Sequence, residues 1–276
     1  MADAGLTRED WLQRVPDLTA RWAEEWDLRI GSPCTGGWAG HAVRADLADG
    51  TRAVLKLIWP HREADHEAAA LELWDGDGAV RLLARNDAGT ALLLERCEPG
   101  EFLSTLELDA ALDVYVDLLP RLWKAAGPPF STLAEEAVVW EESLPREWDQ
   151  AGRPFERTLV DAAVHWMREL ALTQGDDVLL HQDLHAWNIL SAEREPWLAI
   201  DPKPLLGERE FGIAPVVRGG ELRHGRREVL HRFDRLTAEL ELDRERARGW
   251  CIAQTVAWGV DVPEHAEVVR WLIESA

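Results

Sequence analysis

Cysteine is scarce in this chain. Its 276 residues hold three, Cys34, Cys97 and Cys251. They lie far apart, form no CxxC pair and are odd in number, so neither a disulfide framework nor a zinc site is indicated. Positive charge is short as well: 30 Lys and Arg stand against 51 Asp and Glu, a formal net charge of −21. Such a field repels a phosphate backbone, so nucleic acid is not an expected partner. The same field either draws in a cationic small molecule or only keeps the surface soluble. No apolar run approaches the ~18 residues that a membrane-spanning helix needs. The first ten residues lack the basic start and apolar stretch of a signal peptide. A cytoplasmic protein without a membrane partner is expected. Repeats and low-complexity segments are absent too.

What is present is ordinary globular material. Hydrophobic residues make up 46% and charged residues 29%, enough for one large domain or two lobes. The 15 Trp residues read as core payload. Trp11, Val15, Leu18, Trp22 and Trp26 recur at helical spacing within 7–29. His41–Leu47 alternates as a strand does, Asp49-Gly50 is a hairpin turn, and Arg52–Ile58 returns as the next strand until Pro60. A helix is expected over Arg62–Trp74, closed by Gly76 and Gly78, then strands at Val80–Arg85 and Thr90–Glu95. Helical patterns follow at 107–125, 131–150, 153–173, 224–240 and 243–259, interrupted by short β-like runs over 178–215. The expected class is α+β: an antiparallel sheet with one long helix over 1–97, and a mainly helical part over 98–276, divided near Pro99-Gly100.

The sharpest chemical signal is His181-Gln-Asp183-Leu-His185-Ala-Trp-Asn188, followed by the apolar run Trp197-Leu-Ala-Ile that ends in Asp201-Pro-Lys203. Phosphoryl transfer needs a carboxylate beside the attacking hydroxyl and oxygen ligands that hold Mg²⁺ against the phosphates. Asp183, Asn188 and Asp201 supply those groups. A different reading takes His181, Asp183 and His185 as ligands of a transition metal in a hydrolase. Three ligands at alternate positions would need an extended strand, which suits this loop less well.

These residues resemble the aminoglycoside phosphotransferases, a family with a protein-kinase-like two-lobed fold whose loop reads His-x-Asp-x-His-x-x-Asn. Glu193–Gly207, Arg232–Arg244 and Leu92–Arg96 are similar to its streptomycin 6-phosphotransferase branch, the aminoglycoside and hydroxyurea resistance kinases. The resemblance runs from about residue 20 to 260. It implies an ATP-dependent kinase, with GTP as an alternative donor, that phosphorylates an alcohol group of an aminoglycoside-like, hydroxylated and in one reading cationic substrate. A metabolic kinase for a sugar, a nucleoside or another natural product is the alternative.

Carried over residue by residue, the resemblance makes Asp183 the catalytic base and Asn188 and Asp201 the Mg²⁺ ligands. Lys56 becomes the lysine on the α- and β-phosphates, partnered by Glu67 or, second, by Glu63. Leu94-Glu95-Arg96-Cys97 becomes the purine-binding hinge, and Gly37 within 36–40 belongs to the loop over the nucleotide. That loop is not GxGxxG, and position 182 is Gln where much of the family has Gly. The resemblance leaves several residues to lesser roles. His181 and His185 support the loop, and Lys203 either reaches a phosphate or screens Asp201. Arg218, Arg223, Arg226 and Arg227 read as a solvated helix face. Glu135, Glu136, Glu141, Glu142, Glu208 and Glu210 read first as charged surface and second as contacts for a cationic substrate, with Trp140 as a possible stacking face.

Overall fold

A computed structural model describes residues 7–34, 40–62, 65–175 and 177–275. The chain forms two compact units, residues 1–101 with 190–203, and residues 102–189 with 204–276.

The first unit is built on a five-stranded antiparallel sheet. Its strands are β1 (Leu28–Pro33), β2 (Gly40–Leu47), β3 (Arg52–Ile58), β4 (Leu82–Arg85) and β5 (Ala91–Glu95), in the order β1-β2-β3-β5-β4. The helix α1 (Arg8–Glu25), capped by Thr7, lays Trp11 and Val15 against Val43, Ala45, Leu55, Leu57 and Ala91. The central strand β3 is paired on both sides and buried along most of its length. A lysine in such a strand must find an anion.

The expected long helix over Arg62–Trp74 is shorter in the structure. Among the described residues α2 spans Glu67–Trp74, and His66 before it has φ +69°. A right-handed helix cannot run through a left-handed residue, so α2 starts one position later. It ends in the same way, at left-handed Asp75 and then Gly76.

The segment 190–203 completes this unit. Two short strands, Ile189–Ser191 and Trp197–Ala199, form a ribbon. Val80 N donates to Ala199 O and Ala199 N to Gly78 O. Arg194 grips the Glu95 carboxylate with two nitrogens at 2.8 and 2.9 Å and donates to the Gly76 and Ala79 carbonyls. These bonds fix the stretch that ends at Asp201.

The second unit is mainly helical: α3 (Leu108–Leu122), α4 (Leu133–Gln150), α5 (Arg157–Ala171), α6 (Ala214–Arg218), α7 (Arg226–Glu239), α8 (Arg244–Ala257) and α9 (Pro263–Glu274). Thr132 and Glu135 close a reciprocal capping box on α4. The core helix is α8, buried from Ala247 to Val256 and packed on α5, α6, α7 and α9. Its Gly249 lets the Trp166 ring of α5 lie where a Cβ would come within 2.5 Å. Beside these helices, Val178–Leu180 pairs antiparallel with Leu205–Gly207, and the loop 181–188 leaves the first of these strands. Among the described residues β1 and the helices α6 and α9 lie outside the sequence expectation.

Candidate active site

In the first unit three charges meet. Lys56 Nζ lies 2.6 and 2.7 Å from the two Glu67 oxygens and 2.6 Å from Asp201 Oδ1. Lys56 is 9% exposed and Glu67 3%. Burial alone would lower the lysine pKa, but the Asp201 and Glu67 carboxylates outweigh it, and the net direction is upward. The ammonium therefore stays charged. Burial pushes the Glu67 carboxyl up to about 7, against the pull of Lys56. Asp201 sits at φ +58°, a strained position for a residue with a side chain and one that recurs at functional sites. Ile58, His61, Pro202 and Lys203 line a small cavity around this group.

Of the residues expected to form the hinge, Glu95 spends its side chain on Arg194 and on the Arg81 N–H at 3.0 Å. Burial raises its pKa, but those partners prevail and hold it below the usual carboxylate range. Any purine contact there falls to the backbone. The Cys97 thiol is pushed up to about 12 by burial and is no nucleophile. Gly37 and Glu63 lie outside the described residues.

In the second unit the loop 181–188 folds on itself. Asp183 N donates to His181 O, His185 N to Asp183 O and Asn188 N to His185 O, at 2.8 to 2.9 Å. The Asn188 amide nitrogen donates to the Asp183 carbonyl at 2.9 Å, so its amide oxygen takes no part in that bond. Gln182 has φ +64°, a conformation free to glycine and costly to other residues. Asp183 and Asn188 are each 8% exposed.

Several sequence expectations change here. Arg218 is not part of a solvated face. It is 8% exposed and directs Nη2 to Asp183 Oδ1 at 3.3 Å. Burial lowers its pKa, with Asp183 and Glu221 opposing. Arg223, Arg226 and Arg227 are exposed, as expected of a solvated face. Glu208 is 2% exposed and held by Arg246, at 2.8 Å from each of two nitrogens, and by the Trp250 indole. Its role is internal. Glu135 serves the α4 cap, and Glu141 pairs with Arg168. Trp140 is 4% exposed, packed against Phe211 and Trp258, and offers no stacking face to a substrate.

Three contributors were not singled out from the sequence for this loop. Gln254 Nε2 donates to the Gln182 carbonyl at 2.9 Å, and its Oε1 accepts from Arg218 Nη1 at 2.5 Å. Glu221 accepts from Ala186 N at 2.8 Å. Trp258 lies under the Arg218 guanidinium at 4.9 Å. A signal for Gln254 exists: it is the one amide in the apolar run Cys251–Ala257.

A Mg²⁺ ion takes oxygen ligands and shares them with substrate phosphates, so one or two protein ligands suffice. The donors fit this requirement. In the second unit Asn188 offers an amide oxygen, and in the first Asp201 offers a carboxylate. Among the described residues no group of three or more His, Cys, Asp or Glu stands ready for a metal ion.

The fold is that of small-molecule phosphotransferases. The aminoglycoside phosphotransferase APH(4)-Ia superposes with a TM-score of 0.66 at 14% identity, covering 95% of this chain and 99% of that one. Choline kinase LicA from Streptococcus pneumoniae gives 0.65 at 15%, with 95% and 99% covered. Within that class, residues 26–265 match the model of the aminoglycoside/hydroxyurea antibiotic resistance kinases, and the chain belongs to this family. A streptomycin 6-kinase of Streptomyces griseus is 40% identical over 261 residues, 91% of this chain and 85% of the relative. A hydroxyurea phosphotransferase of Kitasatospora aureofaciens is 39% identical over 269 residues, 95% and 78% of the two chains.

Proposed function

We propose that this chain transfers the γ-phosphate of ATP to a hydroxyl of an aminoglycoside-like substrate of the streptomycin type, with Asp183 as proton acceptor. The observation that carries this reading is the folded loop 181–188, which sets the Asp183 carboxylate and the Asn188 amide oxygen on one short turn. Membership of the kinase family and the streptomycin 6-kinase relatives support the reaction class.

The reaction balances simply. The acceptor oxygen attacks the γ-phosphorus, its proton passes to Asp183, and the bond to the β-phosphate oxygen breaks to release ADP. Lys56, held charged by Glu67 and Asp201, binds the α- and β-phosphates. Asn188 and Asp201 are each oxygen donors of the kind that would serve Mg²⁺, which would supply neutralising charge to the phosphate oxygens. The backbone of 94–97 would take the purine. A field of −21 favours an acceptor that carries guanidinium or ammonium groups.

The test is ADP release from Mg-ATP and Mg-GTP across streptomycin, other aminoglycosides, hydroxyurea, plain sugars and nucleosides, with Asp183→Ala as the blank. Streptomycin or a close analogue should stimulate the wild type alone. Stimulation by a neutral sugar or nucleoside only would move the substrate class. Near-normal turnover by Asp183→Ala would remove Asp183 from its role.

A further inference from the structure

A buried polar chain behind the loop has no part in the reaction described so far. Gln254 lies in the last turn of α8 with no exposed surface. A primary amide at that depth costs free energy unless its ends are matched. Its Nε2 holds the Gln182 carbonyl, and its Oε1 holds Arg218. The guanidinium is a rigid planar fork, so fixing one nitrogen aims the other. The second nitrogen faces Asp183 Oδ1, and the Trp258 ring beneath limits tilting.

We infer that Gln254 and Arg218 form a positioning relay for Asp183, in which one amide fixes both the backbone before the aspartate and the cation that faces its carboxylate. The inference rests on the reading of Asp183 as proton acceptor. Two features argue that the relay serves orientation more than bulk stability. Gln182 is held in a left-handed conformation, which persists only when its surroundings over-determine it. Arg218 Nη2 meets Asp183 Oδ1 at 3.3 Å, longer than the 2.8 and 2.9 Å bonds of Arg194 on Glu95. A longer contact aims the carboxylate without clamping it. Neither Gln254 nor Arg218 touches the reacting atoms in this scheme; each acts through the loop.

The experiment combines Gln254→Leu with Asp183→Ala in a double-mutant cycle, read as ADP release from Mg-ATP with streptomycin and with water as the acceptor. Gln254→Leu alone should lower kcat by roughly 10–100-fold, the cost of a misplaced catalytic group, and leave the KM for ATP within about twofold. In the Asp183→Ala background the same substitution should cost less than about twofold, because the relay works only through that carboxylate. Arg218→Lys should not retain wild-type turnover, since one ammonium cannot span Gln254 and Asp183. Gln254→Glu keeps the acceptor for Arg218 and loses the donor to Gln182. It should fall between wild type and Gln254→Leu, and it replaces Gln254→Leu in the cycle if that variant does not fold. A kcat for Gln254→Leu within about twofold of wild type, or an equal loss in both backgrounds, overturns the relay. Near-normal turnover by Asp183→Ala is a separate outcome, which removes the proton acceptor itself.

Discussion

Two residues with side chains sit in left-handed backbone where the chemistry is proposed to happen, Gln182 and Asp201. At position 182 the conformation is one that glycine adopts without cost. Gln182→Gly should keep stability within about 1 kcal/mol, trading backbone strain against chain entropy. Gln182→Val, with a branched Cβ in a region that excludes it, should lose roughly 1–3 kcal/mol. Urea midpoints of the two variants check this, and equal midpoints would contradict the backbone conformation. At this scale the sequence was legible where residue types stand in a fixed local pattern, as from His181 to Asn188. It was not legible where a partner arrives from afar. Gln254 meets Gln182 across 72 positions, and Arg218 looked like surface because Arg223, Arg226 and Arg227 follow it. Only packing separates the four.

Among the elements, α8 shows how one missing side chain sets a helix spacing. Alanine is the better helix former by about 1 kcal/mol, so propensity alone favours Gly249→Ala. The new Cβ would stand 2.5 Å from the Trp166 ring and 2.8 Å from Leu170. Overpacking of this kind outweighs propensity, and a net loss of roughly 1–3 kcal/mol is expected, measured by thermal or urea unfolding. A stabilised Gly249→Ala protein would mean that α5 and α8 can move apart. The elements read well from sequence are those with punctuation on both sides. Arg52–Ile58, between the Asp49-Gly50 turn and Pro60, is reproduced residue for residue. The helix over Arg62–Trp74 is not, because its early residues have helical composition while His66 takes a backbone angle that composition does not reveal.

At the scale of the whole molecule, acid should test the fold before most carboxylates titrate. Burial pushes the His265 imidazole down to about 4 from an ordinary 6.5, with Arg218 adding to the effect. The folded state therefore resists a proton that the unfolded chain accepts. The stabilisation is complete above pH 6.5 and is lost as pH falls towards 4, on the order of 3 kcal/mol in all. Glu156, lowered to about 2 chiefly by its bond to Arg270, titrates outside this window and is exposed. The Glu67 carboxyl, raised to about 7, acts in the opposite sense over nearly the same window, so His265 is read as a difference: the unfolding free energy of the wild type relative to His265→Gln should fall as pH drops from 6.5 towards 4. Parallel profiles of the two proteins would acquit His265.

The discontinuity of the first unit bears on how the chain is made. A ribosome delivers the five strands and both helices of that unit early, yet Asp201, the Arg194 clasp on Glu95 and the ribbon that supports them emerge roughly a hundred residues later. At about 5–20 residues per second, the nascent sheet waits on the order of 5–20 s with Lys56 lacking one of its two anions and Glu95 lacking its clasp. During that interval the first unit stays unfinished while the helices of the second emerge, so its sheet is exposed to mispairing for longer than a contiguous unit would be.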